Sequence, residues 1–195
     1  MRVLLVVAHP LENGFAKTAA ARIRATLERR GMDVDLIDLY ADHFDPRLTA
    51  AERAGYFTSP YDCGAVADYV ARLRRADKLI FIFPQWWFDM PAILKGFFDR
   101  VFVPGVAFDF APGGALIARL THINALWAVS STGAPWWIVR LYMNDPVRRL
   151  LTRGVKACVN RKASFRMLTL HGMDCMTEAR AGAFLDRLEK AFQRF

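Results

Sequence analysis

The stretch LIFIFPQWWFDMPAILKGFFDRVF, Leu79 to Phe102, decides the fold. Its first five residues are an unbroken apolar run, as a strand covered on both faces reads. Its last twelve, Pro91 to Phe102, read as a helix apolar on one side, with Pro91 at the permitted first turn. Between them lies a turn with two adjacent tryptophans, Trp86 and Trp87. Large aromatic faces at the end of a buried strand are costly to leave in water. What they cover is the question the stretch raises.

Outward from it, the same alternation recurs. Val3 to Ala8 is a second continuous apolar run. Phe15 to Arg30 follows with Phe15, Ala19, Ile23 and Leu27 at helical spacing and Gly31 placed to end the helix. Val34 to Leu39 reads as a strand and Tyr40 to Pro60 as irregular, with a short helix near Thr49 to Gly55. A helix is expected over Asp62 to Arg75, and strands over Ile123 to Ser130 and Phe165 to Leu170. Thr177 can cap a last helix. Strands separated by helices predict an α/β fold with a doubly wound parallel sheet. Five strands suit the flavodoxin-like order 2-1-3-4-5, as one domain over residues 1–195.

Composition bounds the rest. The chain has 195 residues, 54% of them hydrophobic and 24% charged, a globular profile. The leading apolar run of six residues is shorter than a signal h-region of about 7–15, so the protein reads as cytoplasmic. Cys63, Cys158 and Cys175 are widely spaced with no CxxC, which suggests buried, inert thiols and no metal site. The net charge of +8 is local: residues 140–166 carry eight basic side chains against one acid, Asp145. A basic excursion of that kind points to a local anionic partner and away from nucleic-acid binding in general.

In such a sheet a ligand sits outside the carboxyl ends of the strands, at the switch point. Three loops meet there. HPLENGF, His9 to Phe15, enters a helix N-terminus, whose free N–H groups and dipole favour an anion. His9 can add a donor, and Asn13 or Gly14 the tight turn; an ordinary βα loop capped by Asn13 is the other reading. GxGxxG and Walker sequences are absent, which disfavours a dinucleotide Rossmann site or a nucleoside triphosphatase. Pro84, Gln85, Trp86, Trp87 and Phe88 offer flat faces for a planar aromatic cofactor, unless the tryptophans pack in the core or a dimer interface. Thr132, Gly133 and Ala134 let backbone approach a ligand closely, where N–H groups can stabilise growing negative charge; a plain turn is the alternative.

Together these loops resemble the flavodoxin-like NAD(P)H:quinone reductases. The resemblance is carried by A-H-P-x4-F at Ala8 to Phe15, D-L-Y at Asp38 to Tyr40 and F-P-x-x-W-F at Phe83 to Phe88. It continues through PAILKGFFDRVF at Pro91 to Phe102, A-F at Ala107–Phe108 and T-G-A at Thr132 to Ala134. It implies a flavin, FAD or alternatively FMN, in a homodimer with sites at the subunit interface. By position, His9, Asn13, Gly14, Phe15 and Ala16 would meet the cofactor's phosphates. Pro84, Gln85, Trp87 and Phe88 would flank the isoalloxazine toward N5 and O4, with Trp86 turned to the core or the partner subunit. Thr132, Gly133 and Ala134 would face N1 and O2. The implied reaction is hydride transfer from NAD(P)H to the flavin and then two electrons to a quinone or similar acceptor.

One departure limits this. Where the family's best-known members place a Tyr and a His after the T-G loop, this chain has Trp136–Trp137; Tyr142 is out of register and His171 lies after the fifth strand. No catalytic residue is assigned. The excursion adds a predicted amphipathic helix, Met143 to Val155, with Val147, Leu150, Leu151 and Val155 beside Arg148, Arg149, Arg153 and Lys156. It suits an anionic membrane, cofactor phosphates, or a solvated face over the domain. A regulatory flavoprotein of a potassium-efflux membrane system is the alternative function.

Overall fold

The computed structural model describes residues 1–58 and 61–195; the last two positions of the irregular 40–60 stretch lie outside them. Along the chain, β1 (Arg2–Val7) leads into α1 (Phe15–Arg29), β2 (Asp33–Asp38), a short α2 (Ala50–Ala54) and α3 (Ala67–Arg74). Then come β3 (Lys78–Pro84), α4 (Ala92–Val101) and a hairpin of β4 (Phe108–Phe110) and β5 (Leu116–Ala118). They are followed by β6 (Ala125–Thr132), α5 (Pro146–Arg149), β7 (Ser164–His171) and α6 (Glu178–Phe192).

The main sheet runs β2-β1-β3-β6-β7 with every pairing parallel, which is the expected order. Successive side chains of β1 point to opposite faces. Leu4 and Val6 join Val70, Leu73 and Phe97 of α3 and α4. Val3, Leu5 and Val7 join Ile23 and Leu27 of α1 and Leu188 and Phe192 of α6. Both faces are covered, so the central strands have no polar side to alternate with.

Several boundaries differ from expectation. β6 starts at Ala125, not Ile123, because pairing with β3 begins at Lys78↔Ala125, and it runs on to Thr132. Pro91 caps α4 from outside, at φ −56 and ψ 146, and the first helical residue is Ala92. The β4–β5 hairpin has strands of only three residues, too short to show a period of two.

The excursion departs most. Asn144 and Asp145 take left-handed backbone, φ 56 and 45, immediately before Pro146, and so break the expected helix at its start. Beyond α5 the chain continues as a π-helical turn, Leu150–Gly154, and a 3₁₀ turn, Val155–Cys158. Val147, Leu151 and Val155 are buried in the protein's own core. The apolar face is thus consumed by folding, and Leu150 alone of the four stays partly exposed.

A buried ion pair steadies α4, the helix behind the tryptophan turn. Thr49 Oγ1 accepts from Glu52 N–H and Glu52 Oε2 from Thr49 N–H, a capping box for α2. The other oxygen of Glu52 accepts from Arg100 Nη2 at 2.6 Å, and Arg100 Nη1 donates to the Asp45 carbonyl. Gly96 faces the same loop, where a Cβ would come within 2.5 Å of Pro46 Cα.

Candidate functional site

The loop after β1 folds tightly onto α1. Gly14 N–H donates to the Leu11 carbonyl at 3.0 Å, and Leu11 N–H donates to His9 Nδ1 at 3.1 Å. His9 Nε2 has no partner among the described residues. The N-cap is Gly14, with no side-chain bond, so Asn13, which is exposed, does not cap the helix. No acid occupies the first turn, and no acceptor among the described residues takes the N–H groups of Phe15 and Ala16. The Lys17 side chain is bound to Asp38 and Glu12. Burial alone would lower its pKa, but those two carboxylates outweigh burial and raise it.

The loop after β3 is a two-residue reverse turn. Trp86 and Asp89 exchange both backbone hydrogen bonds, at 2.9 and 3.0 Å, across Trp87 and Phe88. Both central residues have positive φ, 51 and 60, a geometry suited to Asn-Gly. Two bulky aromatics there store roughly 1–3 kcal/mol of backbone strain each, which persists where surroundings over-determine it. The N–H groups of Trp87 and Phe88 have no acceptor among the described residues.

Gln85 joins this loop to the next. Its Nε2 donates to Ser130 Oγ at 2.9 Å, Ser130 Oγ meets Thr169 Oγ1 at 3.0 Å, and Gln85 N–H donates to the Ser131 carbonyl. Gln85 is buried, yet its Oε1 has no partner among the described residues. Such an orphan acceptor costs about 1–3 kcal/mol unless something reaches it. The loop after β6 is braced from β7: Gly172 N–H donates to the Ala134 carbonyl, and Ala134 N–H to Thr132 Oγ1.

These loops enclose a cleft of about 240 Å³. Among the expected residues, His9, Phe15, Pro84, Gln85, Trp86, Thr132 and Gly133 line it. Gly14 lies under the His9 ring, where a Cβ would overlap it. Asn13, Ala16, Phe88 and Ala134 stand outside the lining. The two tryptophans divide: Trp86 lines the cleft, its ring centroid 6.5 Å from that of His9, whereas Trp87 is 96% exposed. Both were expected at the cofactor, Trp87 as its wall and Trp86 turned to the core or the partner subunit.

Sequence reasoning missed Met173 and Asp174, which with Ser131 complete the wall. Met173 and Asp174 come from the turn after β7, far along the chain, and only the register Thr132↔His171 brings that turn alongside. His171 pairs with Thr132 at the end of β7: its Nδ1 is buried without a partner among the described residues, and burial pushes its pKa down. Neither His171 nor the exposed Tyr142 lines the cleft.

The cleft fits a flat, polar-edged ligand with an anionic tail. It offers free N–H groups at a helix N-terminus and aromatic walls, and it is partly open.

A family model described as a flavodoxin-like fold matches residues 1–191. The human ribosyldihydronicotinamide dehydrogenase [quinone] is 32% identical over 169 residues, covering 77% of this chain and 71% of that protein. Among solved structures, Smu.1420 from Streptococcus mutans superposes with a TM-score of 0.85 at 26% identity, over 100% of both chains. The NAD(P)H:quinone oxidoreductase from Methanothermobacter marburgensis does so with a TM-score of 0.79 at 26% identity, over 100% of this chain and 95% of that one. Sheet order, loop motifs and these likenesses agree: the chain belongs to the flavodoxin-like NAD(P)H:quinone reductase family.

Proposed function

We propose that this protein is a flavin-dependent, cytoplasmic NAD(P)H oxidoreductase that passes two electrons to a quinone or similar acceptor. The observation that carries the reading is the meeting of the loops after β1, β3 and β6 at one aromatic-walled cleft at the switch point, with unpaired backbone donors on the same loops. FAD is the form that the family resemblance implies, and FMN the alternative. The chemistry a bound flavin supplies is hydride and electron transfer between NAD(P)H and the acceptor.

The chain's own residues bind and orient. Phe15 and Ala16 N–H groups, with the helix dipole behind them, hold the phosphate, and the His9 Nε2 edge faces the same space. Trp86 and Pro84 wall one side of the ring. The N–H groups of Trp87 and Phe88, fixed outward by the strained turn, donate to its N5–O4 edge. Gly133 N–H and the Thr132–Ala134 backbone face N1 and O2, where charge grows on reduction. A second copy of the chain closes the open end, as the resemblance implies.

The test is to purify the protein, record its visible spectrum, release and identify the flavin, and follow NAD(P)H oxidation with added quinone. A coloured protein with quinone-dependent turnover is expected. A colourless chain that neither flavin reconstitutes ends the reading.

One observation favours a membrane role beside this. Arg149, Arg153, Lys156, Arg161 and Lys162 have no carboxylate partner among the described residues. The apolar side of 147–155 is buried, so contact with an anionic bilayer, or with a potassium-efflux protein in it, would be electrostatic. Flotation with acidic vesicles should then collapse in high salt; no salt-sensitive flotation rejects it.

A further inference from the structure

We propose that Asp174 tunes the reduction potential of the bound flavin by holding an unpaired carboxylate against the loop that meets the ring's N1–O2 edge. The inference rests on the flavin reading above. Asp174 sits on the 3₁₀ turn Met173–Cys175, which Gly172 starts from a left-handed backbone, φ 72. Its Oδ2 lies 2.5 Å, and its Oδ1 2.7 Å, from the position a Cβ on Gly133 would take. Both carboxylate oxygens thus abut the Gly133 backbone, and both residues line the same cleft.

No hydrogen bond or ion pair engages Asp174 among the described residues. Arg180, on the helix that follows, directs its guanidinium to the carbonyls of His171 at 3.2 Å and Cys175 at 3.4 Å. It braces the turn and leaves the acid free. Gly133 can come this close to the acid because it has no side chain.

The electrostatic consequence follows from sign. Negative charge grows at N1 and O2 on reduction, and a nearby carboxylate opposes it. Once a ring covers the cleft, water that would screen the pair is displaced, and the repulsion strengthens. Asp174 therefore makes the flavin harder to reduce and, once reduced, a stronger donor. Acceptors of lower potential come within its reach.

The experiment compares the midpoint potential of flavin bound to the wild-type protein, D174N and D174E by spectroelectrochemistry, with FAD and FMN each supplied. D174N keeps the shape and removes the charge. Its potential should rise, lowering the oxidised-to-reduced ratio at the wild-type midpoint about tenfold, or about 30 mV for a two-electron couple. D174E keeps the charge and should stay within about a third of that shift. An unchanged potential in D174N overturns the proposal, and equal shifts in both variants overturn it in favour of a steric effect. Failure of the wild type to take up either flavin is seen earlier, as a missing spectrum, and removes the flavin reading and the inference together.

Discussion

Gln85 Nε2 donates to Ser130 Oγ at 2.9 Å across the tops of β3 and β6, and the amide's other atom, Oε1, is buried with no partner among the described residues. The bond ties together the ends of two strands, 45 residues apart in the chain, that hold one wall of the cleft. Gln85→Leu should weaken flavin binding about tenfold, the worth of roughly one good hydrogen bond. Stability should fall by no more than about 1 kcal/mol, because an already unsatisfied acceptor leaves with the bond. Fluorescence titration with flavin and urea unfolding read the two effects; unchanged affinity would remove Gln85 from the site.

Glu52 and Arg100 form the pair whose loss should cost most. Arg100 is buried, and Glu52→Gln strands its charge, at about 3–5 kcal/mol. Burial raises the Glu52 carboxyl, but the Thr49 N–H and the Arg100 guanidinium outweigh it and hold its pKa below the ordinary 4.5. A depressed folded value means the pair contributes fully above 4.5 and is lost as pH falls through the folded value. Urea midpoints from pH 7 to pH 3 should decline more steeply for the wild type than for E52Q.

Gly96→Ala sets two effects against each other. Alanine gains roughly 1 kcal/mol of helix propensity in α4. Its Cβ would collide with the backbone of Pro46, and such overpacking costs about 1–3 kcal/mol or more when backbone must move. Net destabilisation is expected by urea unfolding; a more stable variant would mean the 44–47 loop yields freely.

The three thiols should separate by reactivity. Cys175 is exposed, contrary to the expectation of uniformly buried thiols, Cys63 is half-buried and Cys158 is buried. Burial pushes the Cys158 thiol up to about 11, which keeps thiolate scarce at neutral pH. At pH 8 a disulfide reagent should label Cys175 first, Cys63 more slowly, and Cys158 only after urea unfolds the chain. Early labelling of Cys158 would show that the excursion opens in the native state.

How far the sequence reached depended on whether a signal was local. The runs at Leu4–Val7, Leu79–Phe83 and Leu126–Val129 announce buried parallel strands because both faces must be apolar. The spacing in Phe15–Arg29 does the same for a helix. Sheet order and family were therefore legible, and so were the three loops at the carboxyl edge. The excursion stayed open between readings because Val147, Leu151 and Val155 have the same spacing whether they meet lipid or the protein's own core. Only packing tells these apart.

What the sequence determined by itself was periodicity and motif, and with them the strands, their order and the loops that form the site. The tertiary structure alone decided that Trp86 lines the cleft while Trp87 stands exposed at the left-handed centre of the turn. It alone brought Met173 and Asp174 to Gly133, because parallel pairing of β6 with β7 joins segments some forty residues apart. Backbone sign at a turn and register between distant strands arise from the sum of contacts across the fold, and no short stretch of residues encodes either.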